Sequence, residues 1–122
     1  MTTEKFPREY RLLTPENFDN VFKKPIKAST PYVTILATYN SVGFPRLGLI
    51  APKKQLKRAV WRNRFKRIIR ENFRKSVYNL ENLDIVVIAK SKVLEQTNKE
   101  LDILVSKLWK TISRRCKDLD AS

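Results

Sequence analysis

The sequence has 122 residues, with 26 Lys and Arg against 12 Asp and Glu, a net charge of +14 and no histidine. That length bounds one domain with a modest core, 42% hydrophobic residues set it apart from disordered basic tails, and the charge points to nucleic acid or an anionic surface. The absence of histidine and the single Cys116 exclude the commonest general acid–base group, Ser–His and Cys–His nucleophile pairs, an internal disulfide and a cysteine zinc site.

The carboxylates are scattered, so a self-sufficient protein nuclease is hard to build from these residues. No apolar run approaches the ~18–20 residues of a spanning helix, and Met1-Thr-Thr-Glu-Lys-Phe-Pro has no signal-peptide core. The expectation is a cytoplasmic protein with no membrane partner, folded as one domain over 1–122, with about 1–8 and 118–122 flexible.

Taken in order, residues 1 to about 12 read as an extended, partly packed arm. Thr14-Pro15-Glu16-Asn17 is a helix start, with Thr as N-cap, Pro at the first helical position and an acid in the first turn. That helix runs to about Phe22 and sets Phe18 and Phe22 one turn apart. Tyr32 to Tyr39 is a strand by its β-branched and aromatic content, with Val33, Ile35, Ala37 and Tyr39 on one face and Tyr32, Thr34, Leu36 and Thr38 on the other. Asn40 to Pro45 is a turn, and Arg46 to Ala51 is a second strand expected to form a hairpin with the first. Gly48 within it signals a close backbone approach or a bulge.

The region from Lys53 to Lys75 dominates the chain. Lys and Arg fill 53, 54, 57, 58, 62, 64, 66, 67, 70, 74 and 75, with Glu71 the only acid. A long helix from about Lys57 to Tyr78 gathers Trp61, Phe65, Ile68, Ile69, Asn72, Phe73 and Ser76 on one arc. Arg62, Lys66, Arg70 and Arg74 descend beside that arc, Asn63 and Arg67 continue the polar face, and Arg64 lies at the far rim. Like charges at i, i+4 oppose helix formation by a few tenths of a kcal/mol per pair. A solvated helix usually alternates its signs, so this pattern points to a polyanion that offsets the repulsion.

Asp84 to Ala89 is a continuous apolar strand of the kind buried on both faces, followed by a basic loop at Lys90-Ser-Lys92. Thr97-Asn-Lys-Glu100 is a capping box opening a last helix with Leu101, Leu104, Val105, Leu108 and Ile112 at core spacing. The order is αβββαβα, or αββαβα if Ile26 to Ala28 does not pair. The strand–helix–strand unit from 46 to 89 requires a parallel pair with a crossover helix, right-handed by default.

Leu47-Gly-Leu-Ile-Ala-Pro-Lys53-Lys54 followed by Arg62-Asn63-Arg64-Phe-Lys66-Arg67-Ile-Ile-Arg70-Glu71 resembles the protein subunit of bacterial ribonuclease P. The likeness extends through the opening helix, the buried strand from 84 and Lys107-Leu108-Trp109 in the closing helix. Two departures are a stretch from Lys54 to Arg62 one residue longer than in many members, and Phe65 where an aliphatic is commoner. The resemblance implies an α/β (α+β) two-layer sandwich: a small mixed sheet, N- and C-terminal helices and an unusual left-handed crossover through the basic helix. It also implies a division of labour. A catalytic RNA, with Mg2+ held mainly by that RNA and the substrate, removes the 5′ leader of precursor tRNA. The protein holds the RNA and the leader, broadens the substrate range and lowers the magnesium requirement, and one protein per RNA is expected.

On this reading Lys53, Lys54, Arg58, Arg62, Asn63, Arg64, Lys66, Arg67 and Arg70 contact phosphates of the catalytic RNA, where the guanidinium fork suits bidentate contacts. Asn63 is either a sugar or base reader or a solvent-facing amide. Phe18 and Phe22, with Tyr32, Thr34 and Leu36, form a groove for the single-stranded leader, and Lys90 and Lys92 hold its backbone. From the residues alone the two phenylalanines fit a core equally well, and the two lysines fit an ordinary loop. Rival readings are a ribosomal or ribosome-assembly scaffold, a DNA-binding regulator, for which no dimer seam is visible, and a protein-only nuclease.

Overall fold

A computed structural model describes residues 10–12 and 14–121. In chain order the elements are α1 (Pro15–Lys23), β1 (Ile26–Ser29), β2 (Val33–Tyr39), β3 (Arg46–Ile50), α2 (Ala59–Ser76), β4 (Leu83–Ala89) and α3 (Asn98–Ala121). Single 3-10 segments follow α2 and β4, at Val77–Asn79 and Ser91–Glu95. The expected flexible segment at 1–8 lies outside the described residues.

Local chemistry accounts for the boundaries. Thr14 Oγ1 accepts from the Asn17 amide at 3.2 Å, capping α1, and Pro15 occupies its first turn. The capping box of α3 is reciprocal: Glu100 Oε1 accepts from the Thr97 amide at 2.8 Å and Thr97 Oγ1 from the Glu100 amide at 3.1 Å. Thr30 closes the turn between β1 and β2, its hydroxyl accepting from the Tyr32 and Val33 amides and donating to the Val33 carbonyl. β1 therefore pairs as a full strand, giving the αβββαβα order.

The sheet order is β1-β2-β4-β3, antiparallel except for the parallel β3–β4 pair. The hairpin expected between β2 and β3 does not form. β4 lies between them, because its unbroken apolar run is stable only when it is flanked on both edges and covered on both faces. The 40–45 turn instead carries the chain past the start of β4. Asn40 secures it, donating from Nδ2 to the Phe44 carbonyl and to Asp84 Oδ1. The parallel pair across α2 is as the strand–helix–strand unit requires.

Both faces of the sheet are used, unequally. Val33, Ile35, Ala37, Leu47, Leu83, Ile85, Val87 and Ala89 pack under α2 and α3, which contribute Phe65, Ile69, Phe73, Leu101, Val105 and Ile112. Asn72 joins the two helices, with Nδ2 reaching Asp102 and Ser106 and Oδ1 accepting from Trp109 Nε1 at 2.6 Å. The opposite face is crossed by three rows set by the strand register: Thr38–Asp84–Arg46, Leu36–Val86–Gly48 and Thr34–Ile88–Ile50. α1 covers the middle row, where Val21 packs with Leu36 and Val86. Gly48 makes this possible: a Cβ there would stand 2.6 Å from Phe18 Cε1.

Candidate nucleic-acid interface

α2 presents the amphipathic division its sequence predicts. Phe65, Ile68, Ile69, Asn72 and Phe73 are buried, Asn63 and Arg67 are exposed, and Arg62, Arg64, Lys66, Arg70 and Arg74 are half-buried along the flanks. The loop ahead of the helix is anchored by fully buried Leu56, which leaves Lys53 and Lys54 exposed on a turn closed by the Pro52 carbonyl. Arg58 is the N-cap of α2 without a side-chain cap bond, and the first turn carries no acid. The free amides and the positive end of the helix dipole thus add to the attraction for an anion.

The cations do different work. Arg62 Nη1 donates to the Leu56 and Lys57 carbonyls at 2.8 and 3.2 Å, holding the loop against the helix. Arg64 spans to the start of α3, with Nε donating to Asn98 Oδ1 and Nη2 to the Gln96 carbonyl, both at 2.6 Å. The Arg58 guanidinium lies 5.4 Å from the centre of the Trp61 ring. Burial, then the charge of Arg11, lowers the Arg70 pKa, so an arginine of the N-terminal segment stands beside this flank. Among the described residues, no basic group between Lys53 and Lys75 is in an ion pair.

The second expected surface is only partly assembled. The row Thr34–Ile88–Ile50, left open beside α1, continues into a cleft of about 500 Å3 lined by Pro31, Thr34, Pro52, Gln55, Ile88 and Lys90, with Ser91 and Lys92 at its edge. Thr34, Lys90 and Lys92 are therefore together. Lys90 Nζ donates to the Thr30 carbonyl at 2.6 Å and to Ser29 Oγ at 3.0 Å, while Lys92 is exposed. Phe22 is 42% exposed, whereas Phe18 packs over Gly48 and belongs to the small core beneath α1.

Two expected groove residues lie elsewhere. Tyr32 packs against the main core on the other face, because the Thr30 turn ends the strand alternation before it. Leu36 is buried beneath α1 with Val21. Sequence reading missed Ile88, Pro52 and Gln55, which no short motif marks. It also missed the Arg46–Asp84 pair in the row on the far side of α1, bidentate at 2.8 Å for both bonds. Hydrogen bonding to Asp84 raises the Arg46 pKa against the opposing effect of burial.

Among the described residues, no three His, Cys, Asp or Glu side chains gather as a metal site. The described residues do not fit a resident magnesium ion. No helix among them is long and apolar enough to cross a membrane.

The family model for ribonuclease P matches residues 6–113. The ribonuclease P protein component of Vibrio parahaemolyticus is 52% identical over 114 residues, covering 93% of this chain and 97% of that one. The Staphylococcus aureus RNase P protein superposes with a TM-score of 0.79 at 28% identity, over 84% of this chain and 94% of that one. The Thermotoga maritima RNase P protein gives 0.70 at 29%, over 85% and 96%. This chain belongs to the ribonuclease P protein family.

Proposed function

We propose that the chain acts in tRNA 5′ maturation as the RNA-gripping partner of a catalytic RNA. The observation that carries this reading is the cationic surface of 53–75, whose eleven basic residues have no acidic partner among the described residues. A polyanion supplies what the protein withholds, and release of its counterions drives association. Lys53, Lys54, Asn63, Lys66 and Arg67 make no side-chain hydrogen bond to another described residue and are the direct contacts. Arg58, Arg62 and Arg64 shape the surface as well as charging it, and Arg70 carries its flank towards Arg11.

The open row beside α1 receives the single-stranded leader of precursor tRNA. Phe22 offers a stacking platform worth roughly 1–3 kcal/mol per base, Thr34 and Ile88 form the floor, and Lys90 and Lys92 meet the phosphates. Phe18 sets the height of that wall from below. Hydrolysis, and the magnesium it uses, belong to the RNA and the substrate, in a complex of one protein with one RNA. Family membership supports this reading over a ribosomal scaffold.

Reconstitution tests it. The purified chain added to the catalytic RNA is expected to restore precursor cleavage at magnesium too low for the RNA alone, and the RNA-free chain is expected to cleave nothing. Phe22→Ala should weaken precursor binding roughly tenfold, the value of about 1.4 kcal/mol of stacking, and leave mature tRNA binding unchanged. Equal loss for both RNAs would reject the groove, and cleavage by the RNA-free chain would reject the whole reading.

A further inference from the structure

A second concave surface lies away from both of these. Where the end of α2 meets the C-terminal half of α3, a cleft of about 540 Å3 opens, within the range of small-ligand sites. It is lined by residues just before β4, whereas the leader cleft lies at the other end of that seven-residue strand. At ~3.3 Å per residue the two are on the order of 20 Å apart.

Lys110, Arg114 and Lys117 line the α3 wall, and their i, i+4, i+7 spacing keeps them on one face. Lys117 lies 3.5 Å from Glu81, while Lys110 and Arg114 have no ion pair among the described residues. Ser113 Oγ, on the same wall, is buried without a hydrogen-bond partner. Half-buried Leu80 provides apolar surface beside these cations, and the buried Trp109 ring closes the floor beneath it. Trp109 is rigidly held, because its indole N–H is committed to Asn72 and its ring stands edge-on to Phe73 at 5.7 Å. Asn79 adds an amide at the rim, able both to donate and to accept.

We propose that this cleft binds a single nucleotide, with its phosphate on Lys110 and Arg114 and its base against Leu80. A bare anion would leave the apolar surface unused, and an uncharged aromatic would leave the cations unpaired. A free nucleoside monophosphate and an unpaired nucleotide of an RNA strand offer the same chemistry.

The full chain, labelled with 15N, separates these sources. Titration with adenosine monophosphate is expected to shift the Trp109 indole and Ser113 amide signals saturably, leaving the amide of fully buried Ala37 in the sheet as an internal reference. Adenosine and inorganic phosphate should each bind at least tenfold more weakly. Lys110→Ala with Arg114→Ala should cost at least tenfold, and the control pair Lys99→Ala with Lys107→Ala should cost nothing. An oligoadenylate binding more tightly than the monophosphate assigns the site to an RNA strand, and equal binding assigns it to the free nucleotide. The proposal is overturned if the Trp109 indole does not move, if inorganic phosphate matches the monophosphate, or if the control pair loses as much as the cleft pair.

Discussion

Asp84 is 3% exposed, and its carboxylate is held by both Arg46 contacts and by Asn40 Nδ2 at 2.9 Å. Replacing Arg46 with Ala leaves that charge buried with one amide, and breaking such a pair from one side costs about 3 kcal/mol, the low end of the buried range because Arg46 is partly exposed. Urea denaturation should show that loss, and a change under 1 kcal/mol would mean that water replaces the guanidinium. The pair was not legible beforehand, because its members stand 38 positions apart and only the sheet register aligns them. Cys116 is fully buried on α3: burial, with a contribution from the charge of Glu81, moves its pKa from 9.0 to about 11. Below pH 9 the thiol is neutral folded or unfolded. Between 9 and 11 only the unfolded chain ionises, so stability falls through that window by on the order of 2 kcal/mol. The difference in unfolding free energy between wild type and Cys116→Ala, measured at pH 8 and pH 10.5, should shrink accordingly; a constant difference would place the thiol in contact with water.

The central position of β4 followed from its apolar run alone, and α2 was delimited within a few residues by its hydrophobic arc, because both signals are local. Pairing of β2 with β3 was the natural reading of adjacent strands joined by a short turn, and it failed because the partner that displaces β3 comes 33 residues after that strand ends. Gly48 was the sequence clue to how α1 docks, although the ring that fills its space could not be named. The glycine makes α1 testable as a unit. In Gly48→Ala the new Cβ meets Phe18 Cε1 at 2.6 Å and Cζ at 2.7 Å, with Leu12 Cδ1 at 3.1 Å. The ring must lift off the sheet, at the 1–3 kcal/mol typical of overpacking. The variant should lose that much stability and, with α1 displaced, also bind leader-bearing RNA more weakly. Adding Phe18→Leu should recover part of both, because a smaller side chain relieves the contact. Loss of stability with leader binding intact would separate α1 docking from the groove.

Across the whole molecule, ten of the 14 net positive charges fall between Lys53 and Lys75, eleven cations less Glu71, and none of these cations is in an ion pair among the described residues. Composition alone announced a polyanion partner; it could not tell which cations face that partner and which are occupied within the protein. That division gives two kinds of arginine variant. Arg67 is exposed and makes no side-chain hydrogen bond to a described residue, so Arg67→Ala should leave the melting temperature unchanged. It should weaken binding to the catalytic RNA and lower the slope of log K against log salt by about one, the signature of one lost phosphate contact. Arg64 ties α2 to the Gln96 carbonyl and Asn98. Removing it discards two charge-assisted hydrogen bonds worth about 1.5–3 kcal/mol each when buried and less at this partly exposed site. Arg64→Ala should therefore lower the melting temperature and weaken RNA binding together, and Arg64→Lys should restore charge without the two-point tie. If Arg67→Ala changed stability, or if Arg64→Ala altered only the salt slope, the two classes would collapse into one. The basic helix would then act as a uniform charged rod, with no separation between the cations that build the surface and those that use it.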